Sequence, residues 1–161
     1  MDKERKEMMN ESAVGSSFEI SLRILLMLNE LAPLRLDEQQ IGAIDFIAVY
    51  AADFGLQDEN LHGNNSYRYS EFPARKQMVS FALKKLVLDG CIRLYPSSSG
   101  YRYSILEAGK NACGKLTSSY AKEYILAVKA VIGRFENVDA AAMLKEINRL
   151  TIQSLQETGH E

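Results

Sequence analysis

Tyr67, Arg68, Tyr69, Glu71, Arg75 and Lys76 fall within ten consecutive positions of a chain whose net charge is −2. Guanidinium forks bind carboxylates and phosphates two oxygens at a time, and aromatic faces attract cations. A set of this kind recognises and docks. Acid–base catalysis needs paired groups that titrate near neutrality, and none stands here. The spacing lets Tyr67, Arg68 and Tyr69 pin the preceding polar stretch, "LHGNNS", against the base of the next helix. Glu71 would then satisfy the helix start or pair with Arg75. The outcome is either a basic, ring-bearing ridge that meets a partner or a loop-anchoring network without one.

Asp45 is the second residue of chemical interest. It shares a helix face with Ile41, Ile44, Ala48 and Ala52, and a carboxylate on an apolar stripe needs a partner. Arg23 and Arg68 are the candidates. A catalytic acid is the alternative, but no second acid–base group stands in an evident relation to it. Elsewhere the chain has no GxxxxGK[ST] phosphate loop, no GxSxG elbow and no HExxH pair. Asp53-Phe54-Gly55 reads as the end of a helix. Cys91 and Cys113 are too far apart for a metal knuckle, and His62 and His160 lie in unrelated segments. The expectation is two reduced thiols in a cytoplasmic protein, with no catalytic residue, no metal and no cofactor.

These residues must be positioned by helices. "FEISLRILLMLNEL", from Phe18 to Leu31, is apolar almost all round and so must be surrounded. Pro33 stops it. Asp37 with Gln40 three positions later forms a capping-box pattern, opening a helix expected to end near Gly55. A polar loop from Gln57 to Phe72 exceeds the usual connection of ~2–8 residues, which marks it as functional or mobile. The helix from Pro73 to Leu88 carries a core stripe of Val79, Ala82, Leu83 and Leu86, and Asp89-Gly90 ends it. "CIRLY" and "YRYSI", separated by "PSSSG", predict a β-hairpin with a five-residue turn. Helical spacing returns from Ser118 to Phe135 and again after Asn137. No apolar run approaches the ~20 residues of a membrane span, and no signal core follows "MDKERKEMMN".

The expected class is mainly α with a small β-hairpin: a winged helix-turn-helix with additional C-terminal helices. A mobile tail over 1–16, a winged-helix domain over 17–117 and C-terminal helices over 118–161, packed on the domain or forming an oligomer contact, are the expected units. Between Tyr67 and Tyr103 seven basic residues face two acidic ones, so a local +5 sits in an otherwise acidic chain. Gln77, Lys84, Lys85, Arg93 and Arg102 suit base edges and phosphates. Phe81 and Leu88, on the same outer side of the third helix, suit a protein surface or burial within the chain.

Taken in order, "FEISLRILLML", "LDEQQIGAIDFIAVYAADFG", "LH…YRYSEFPARKQMV", "LKKLVLDGCI" and "YRYSILEAGKNACGKLTSSYA" resemble a middle component of ABC-three-component systems. The resemblance covers Phe18 to Phe135, and the last helix departs from it. It implies a winged-helix adaptor associated with an ABC-type ATPase of the chromosome-maintenance kind and with an effector component, in defence against phage and mobile DNA. Arg68, Glu71, Arg75 and Lys76 are the family-like loop-and-helix cluster, and Asp45 is the family-like acid of the second helix. The expected partner-binding residues are Tyr67, Arg68, Glu71, Arg75, Lys76, Phe81 and Leu88. The competing function is a winged-helix transcription regulator that binds DNA as a homo-oligomer, a dimer seamed by its C-terminal helices.

Overall fold

The computed structural model describes residues 17–65 and 67–158. The expected tail over 1–16 and His160 lie outside the described residues. Helix α1 (Ser17–Glu30) is surrounded, as its pattern requires: Ile20, Ile24, Leu25, Leu26, Met27 and Leu28 are all buried. A two-residue strand, β1 (Leu36–Asp37), leads into α2 (Glu38–Val49). Both halves of the capping box form. The Asp37 carboxylate accepts the Gln40 backbone N–H at 2.8 Å, and the Gln40 side-chain oxygen accepts the Asp37 N–H at 2.9 Å. The Gln40 amide also donates to the Val138 carbonyl at 3.0 Å, tying the start of α2 to a turn almost a hundred residues later.

Helical bonding in α2 stops earlier than the sequence suggests. After Val49 the chain tightens into a 3₁₀ turn (Ala51–Phe54), which Gly55 closes at φ 72°. The loop is the reason. Asn60 Oδ1 takes the N–H groups of Ala52 (2.8 Å) and Asp53 (3.3 Å), and the His62 N–H takes the Val49 carbonyl (3.3 Å). Groups that would have continued the helix are thus committed elsewhere.

A second 3₁₀ turn (Arg68–Ser70) runs into α3 (Glu71–Leu88), which starts two residues before Pro73. Proline is tolerated there because a first-turn N–H has no partner within the helix. The stripe Val79, Ala82, Leu83 and Leu86 is buried, and Gly90 at φ 75° ends the run. Strands β2 (Ile92–Ser97) and β3 (Gly100–Ile105) pair antiparallel, and β1 adds to β3, giving the order β1-β3-β2. The turn is shorter than the expected five residues. Pro96 pairs with Tyr101 and Ser97 with Gly100, leaving only Ser98 and Ser99 between the strands. Pro96 can sit in the ladder because β2 is an edge strand.

Three helices follow rather than two: α4 (Glu107–Gly114), α5 (Ser119–Arg134) and α6 (Ala140–Thr158). Helix α1 is central, packing on α3, α4 and α5, while α2 packs on α3, α5 and α6. The class is therefore mainly α with a small antiparallel sheet, the hairpin read from the sequence having gained β1 as a third strand. No described helix is long and apolar enough to cross a membrane.

Gly109 shows how closely α4 sits on the sheet. A Cβ there would meet the Cys91 carbonyl oxygen and come within 2.8 Å of Ile105 Cγ1. The Leu106 N–H bonds that same carbonyl at 2.9 Å, so the oxygen cannot easily retreat. Gly109→Ala is expected to cost about 1–3 kcal/mol through overpacking, read as a lower urea midpoint at unchanged slope.

Candidate functional site

Asp45, on α2, is 1% exposed, and side chains from three other helices converge on it. Arg23 of α1 grips it with two nitrogens, Nε to Oδ1 at 2.8 Å and Nη2 to Oδ2 at 3.1 Å. The Tyr124 hydroxyl of α5 donates to Oδ1 at 2.7 Å. Arg75 of α3 places Nη1 3.6 Å from Oδ2. Burial alone would push the Asp45 carboxyl up. The Arg23 charge and hydrogen bond, then Arg75 and Tyr124, overcome burial and hold it down at about 2. Burial pushes the Tyr124 phenol well up, and the adjacent carboxylate adds to that. Of the two candidate partners for Asp45, Arg23 takes the role and Arg68 does not.

The network continues toward the surface through Arg75. Its Nη2 lies 3.5 Å from both Glu71 Oε2 and His62 Nδ1, and Glu71 Oε2 also accepts the Tyr50 hydroxyl at 3.0 Å. On the other side His62 Nε2 is 2.6 Å from the Tyr120 hydroxyl, with the two rings stacked at 6.0 Å. A neutral imidazole satisfies both contacts if Nε2 carries the proton and Nδ1 accepts from Arg75. Burial, then the charges of Arg23 and Arg75, pull the His62 imidazole down to about 4. Two guanidinium nitrogens, Arg23 Nη1 and Arg75 Nη1, are buried with no hydrogen-bond partner among the described residues. Each still faces a carboxylate at 3.6 Å, Glu19 for Arg23 and Asp45 for Arg75.

A second carboxylate anchors the loop. Asp53 receives Arg68 through Nε to Oδ2 at 2.6 Å and Nη2 to Oδ1 at 3.3 Å, the Tyr69 hydroxyl at 2.9 Å and the Asn60 amide at 3.1 Å. Arg68 Nη1 donates in addition to the carbonyls of Asn64 (3.2 Å) and Asn65 (2.7 Å). Partial burial raises the Asp53 carboxyl, but the hydrogen bonds from Arg68, Asn60 and Tyr69 outweigh it and the net shift is downward. Asp53 thus does more than end a helix.

Of the residues singled out in the sequence, Arg68, Glu71, Arg75 and Asp45 are engaged inside the chain. Tyr67 differs from its neighbours: it is 75% exposed, while Arg68 and Tyr69 do the pinning. Lys76 is exposed, its ammonium 5.5 Å from the Phe72 ring centre. Gln77, Phe81, Lys84, Lys85 and Leu88 are all exposed along α3, and Arg93 and Arg102 are exposed on the hairpin. The contributions of His62, Asp53, Asn60, Tyr50 and Tyr124 were not read from the sequence. For His62 a signal existed in the "LH" at the head of the loop. Beside the network lies a cavity of about 220 Å³ walled by Phe72, Val79 and Leu144. Among the described residues no cluster of His, Cys, Asp or Glu is arranged to hold a metal ion.

The model of one protein family, the ABC-three component (ABC-3C) system Middle Component 2, matches residues 13–157. The chain belongs to that family. This middle component is thus one part of a three-component system. The match extends through α6, so the last helix, which the sequence reading set apart from the family, is part of it. Comparison with curated proteins and with solved structures finds no match.

Two outcomes test the network. Asp45→Asn leaves two buried guanidiniums facing a neutral group and is expected to cost about 3–5 kcal/mol, against about 1.5–3 kcal/mol for Tyr124→Phe, in urea denaturation. His62 sets a pH dependence. Unfolded, it takes a proton near 6.5; folded, it resists until about 4, so between these values the unfolded state holds more protons. Stability should therefore fall as pH drops through that window, by up to roughly 3 kcal/mol, and His62→Gln should flatten the slope.

Proposed function

We propose that this middle component is a non-catalytic adaptor that links the ABC-type ATPase of its system to the effector component, in cytoplasmic defence against phage or mobile DNA. In this reading residues 17–117 are a winged-helix body, with α1, α2 and α3 covered by the hairpin, and residues 118–161 supply the helices that pack against it. The order helix, short strand, two helices, hairpin supports that assignment.

One observation carries the adaptor reading. Phe81 and Leu88 are 61% and 86% exposed and stand seven residues apart on the outward side of α3, with Lys84 between them. A helix that reads a DNA groove presents polar and basic side chains there. Large apolar groups with basic neighbours instead favour a protein surface. Arg68, Glu71 and Arg75 serve this face by holding the loop and the base of α3, while Tyr67 and Lys76 extend the exposed edge. Asp45, gripped by two arginines and a phenol, is a poor proton donor or acceptor near neutrality, which supports a role without bond-making.

Co-expression with the ABC ATPase of the same system tests the reading. The double variant Phe81→Ala/Leu88→Ala is expected to reduce co-purification at least about tenfold, the loss of two interface anchors, with melting unchanged because both side chains are exposed. Arg68→Ala should lower melting instead. Full retention by the double variant, or a sequence-specific operator footprint made without any ATPase, would overturn the adaptor in favour of the dimeric regulator.

A further inference from the structure

The outward face of the small sheet gathers three arginines around one tyrosine. Strand alternation turns Ile92 and Leu94 toward the helices and Arg93 and Tyr95 away from them. The register sets Arg102 directly across from Tyr95 and Ser104 across from Arg93. Arg35, immediately before β1, lays its guanidinium carbon 3.7 Å from the centre of the Tyr95 ring, and that of Arg93 lies 5.1 Å from the same centre. A guanidinium stacked on a ring uses its flat face, so its N–H groups in the plane stay available to oxygen acceptors. All three arginines are exposed. Among the described residues none of them makes an ion pair, in contrast to Arg23, Arg68, Arg75 and Arg149. The carboxylate on this side, Asp37, stands opposite Arg102 in register but is engaged as the cap of α2.

We propose that Arg35, Arg93 and Arg102 form a binding site for the phosphate backbone of duplex DNA, with Tyr95 as the ring that holds two of the guanidiniums in place. Phosphate fits better than an acidic protein, because a protein interface needs an apolar centre and the outward positions around Tyr95 are Arg93, Arg102, Ser104 and the capping Asp37. Duplex fits better than single strand. Unpaired bases bind by stacking on free rings, and Tyr95 is already covered by Arg35. The Tyr103 ring is buried on the opposite face, and the exposed Tyr101 ring alternates to that same side, away from the arginines. The Tyr95 phenol is shifted downward, by Ser104 first, with the Arg35 and Arg93 charges adding to it. Contacts of this kind place a protein on DNA without reading its sequence. The sheet face is a second surface, separate from Phe81 and Leu88, and does not depend on the adaptor reading.

Fluorescence anisotropy with the full chain and a labelled 20-base-pair duplex, from 50 to 200 mM salt, tests it. Three phosphate contacts predict a slope of about −2.7 and an affinity loss of about 40-fold over that range. The triple variant R35A/R93A/R102A should lose binding, each single alanine should reduce the slope by about one contact's worth, and the triple lysine variant should keep most of the slope. Tyr95→Leu should weaken binding severalfold at a nearly unchanged slope. Melting, and co-purification with the ATPase, should be unchanged for the triple alanine variant. The proposal is overturned if the wild-type chain shows no salt-dependent duplex binding at 50 mM, or if the triple alanine variant binds like it. Tighter binding of a single strand of equal length, or of poly-glutamate, with the same arginine dependence would also overturn it, as would loss of ATPase co-purification by the triple variant.

Discussion

A carboxylate sealed from water at the crossing of four helices is the constraint on which the rest of this molecule depends. Asp45 stays ionised in the interior only because Arg23, Arg75 and Tyr124 reach it from α1, α3 and α5. Apolar faces attract one another with little regard for register, and α1 and α2 are apolar nearly all round. A charge with three partners tolerates no such sliding, because a shift that loses one partner leaves the others buried and uncompensated. The helices are thus held at one rotation and one depth, and everything carried on their outer faces inherits that placement.

The loop before α3 repeats the principle nearer the surface. Asp53 gathers Arg68, Tyr69 and Asn60, and Arg68 goes on to cap two loop carbonyls. Asp53 is more exposed than Asp45, so water screens it more and its contribution to stability is smaller. Its effect is geometric: it joins the end of α2 to the start of α3 across a segment with no regular structure. His62 and Glu71 extend the Asp45 network into the same loop and helix start through Arg75.

The division of polar groups follows from this. Charges that the sequence places beside rings in the loop are mostly turned inward, whereas the exposed side of α3 keeps Phe81 and Leu88 and the exposed side of the sheet keeps its arginines. Two surfaces of different chemistry, one apolar with basic neighbours and one with three arginines around a single ring, stand on a body whose helices are joined by buried ion pairs.

Local order was legible from the residues alone. The capping box at Asp37, the core stripe of α3, the glycine stop at Gly90 and the hairpin all follow from spacing and backbone preference, because each involves neighbours a few positions apart. Asp45 announced itself as a buried charge in the same way. What the residues could not reveal was who answers whom. Arg23 rather than Arg68 pairs with Asp45, Tyr124 arrives from 79 positions away, and Arg35 stacks on Tyr95. The early end of α2 and the third strand likewise depend on groups brought in from elsewhere in the chain. Periodicity specifies which side of a helix is buried. Only packing in three dimensions decides which distant side chain completes a buried charge, because that choice rests on distances between elements that no single segment encodes.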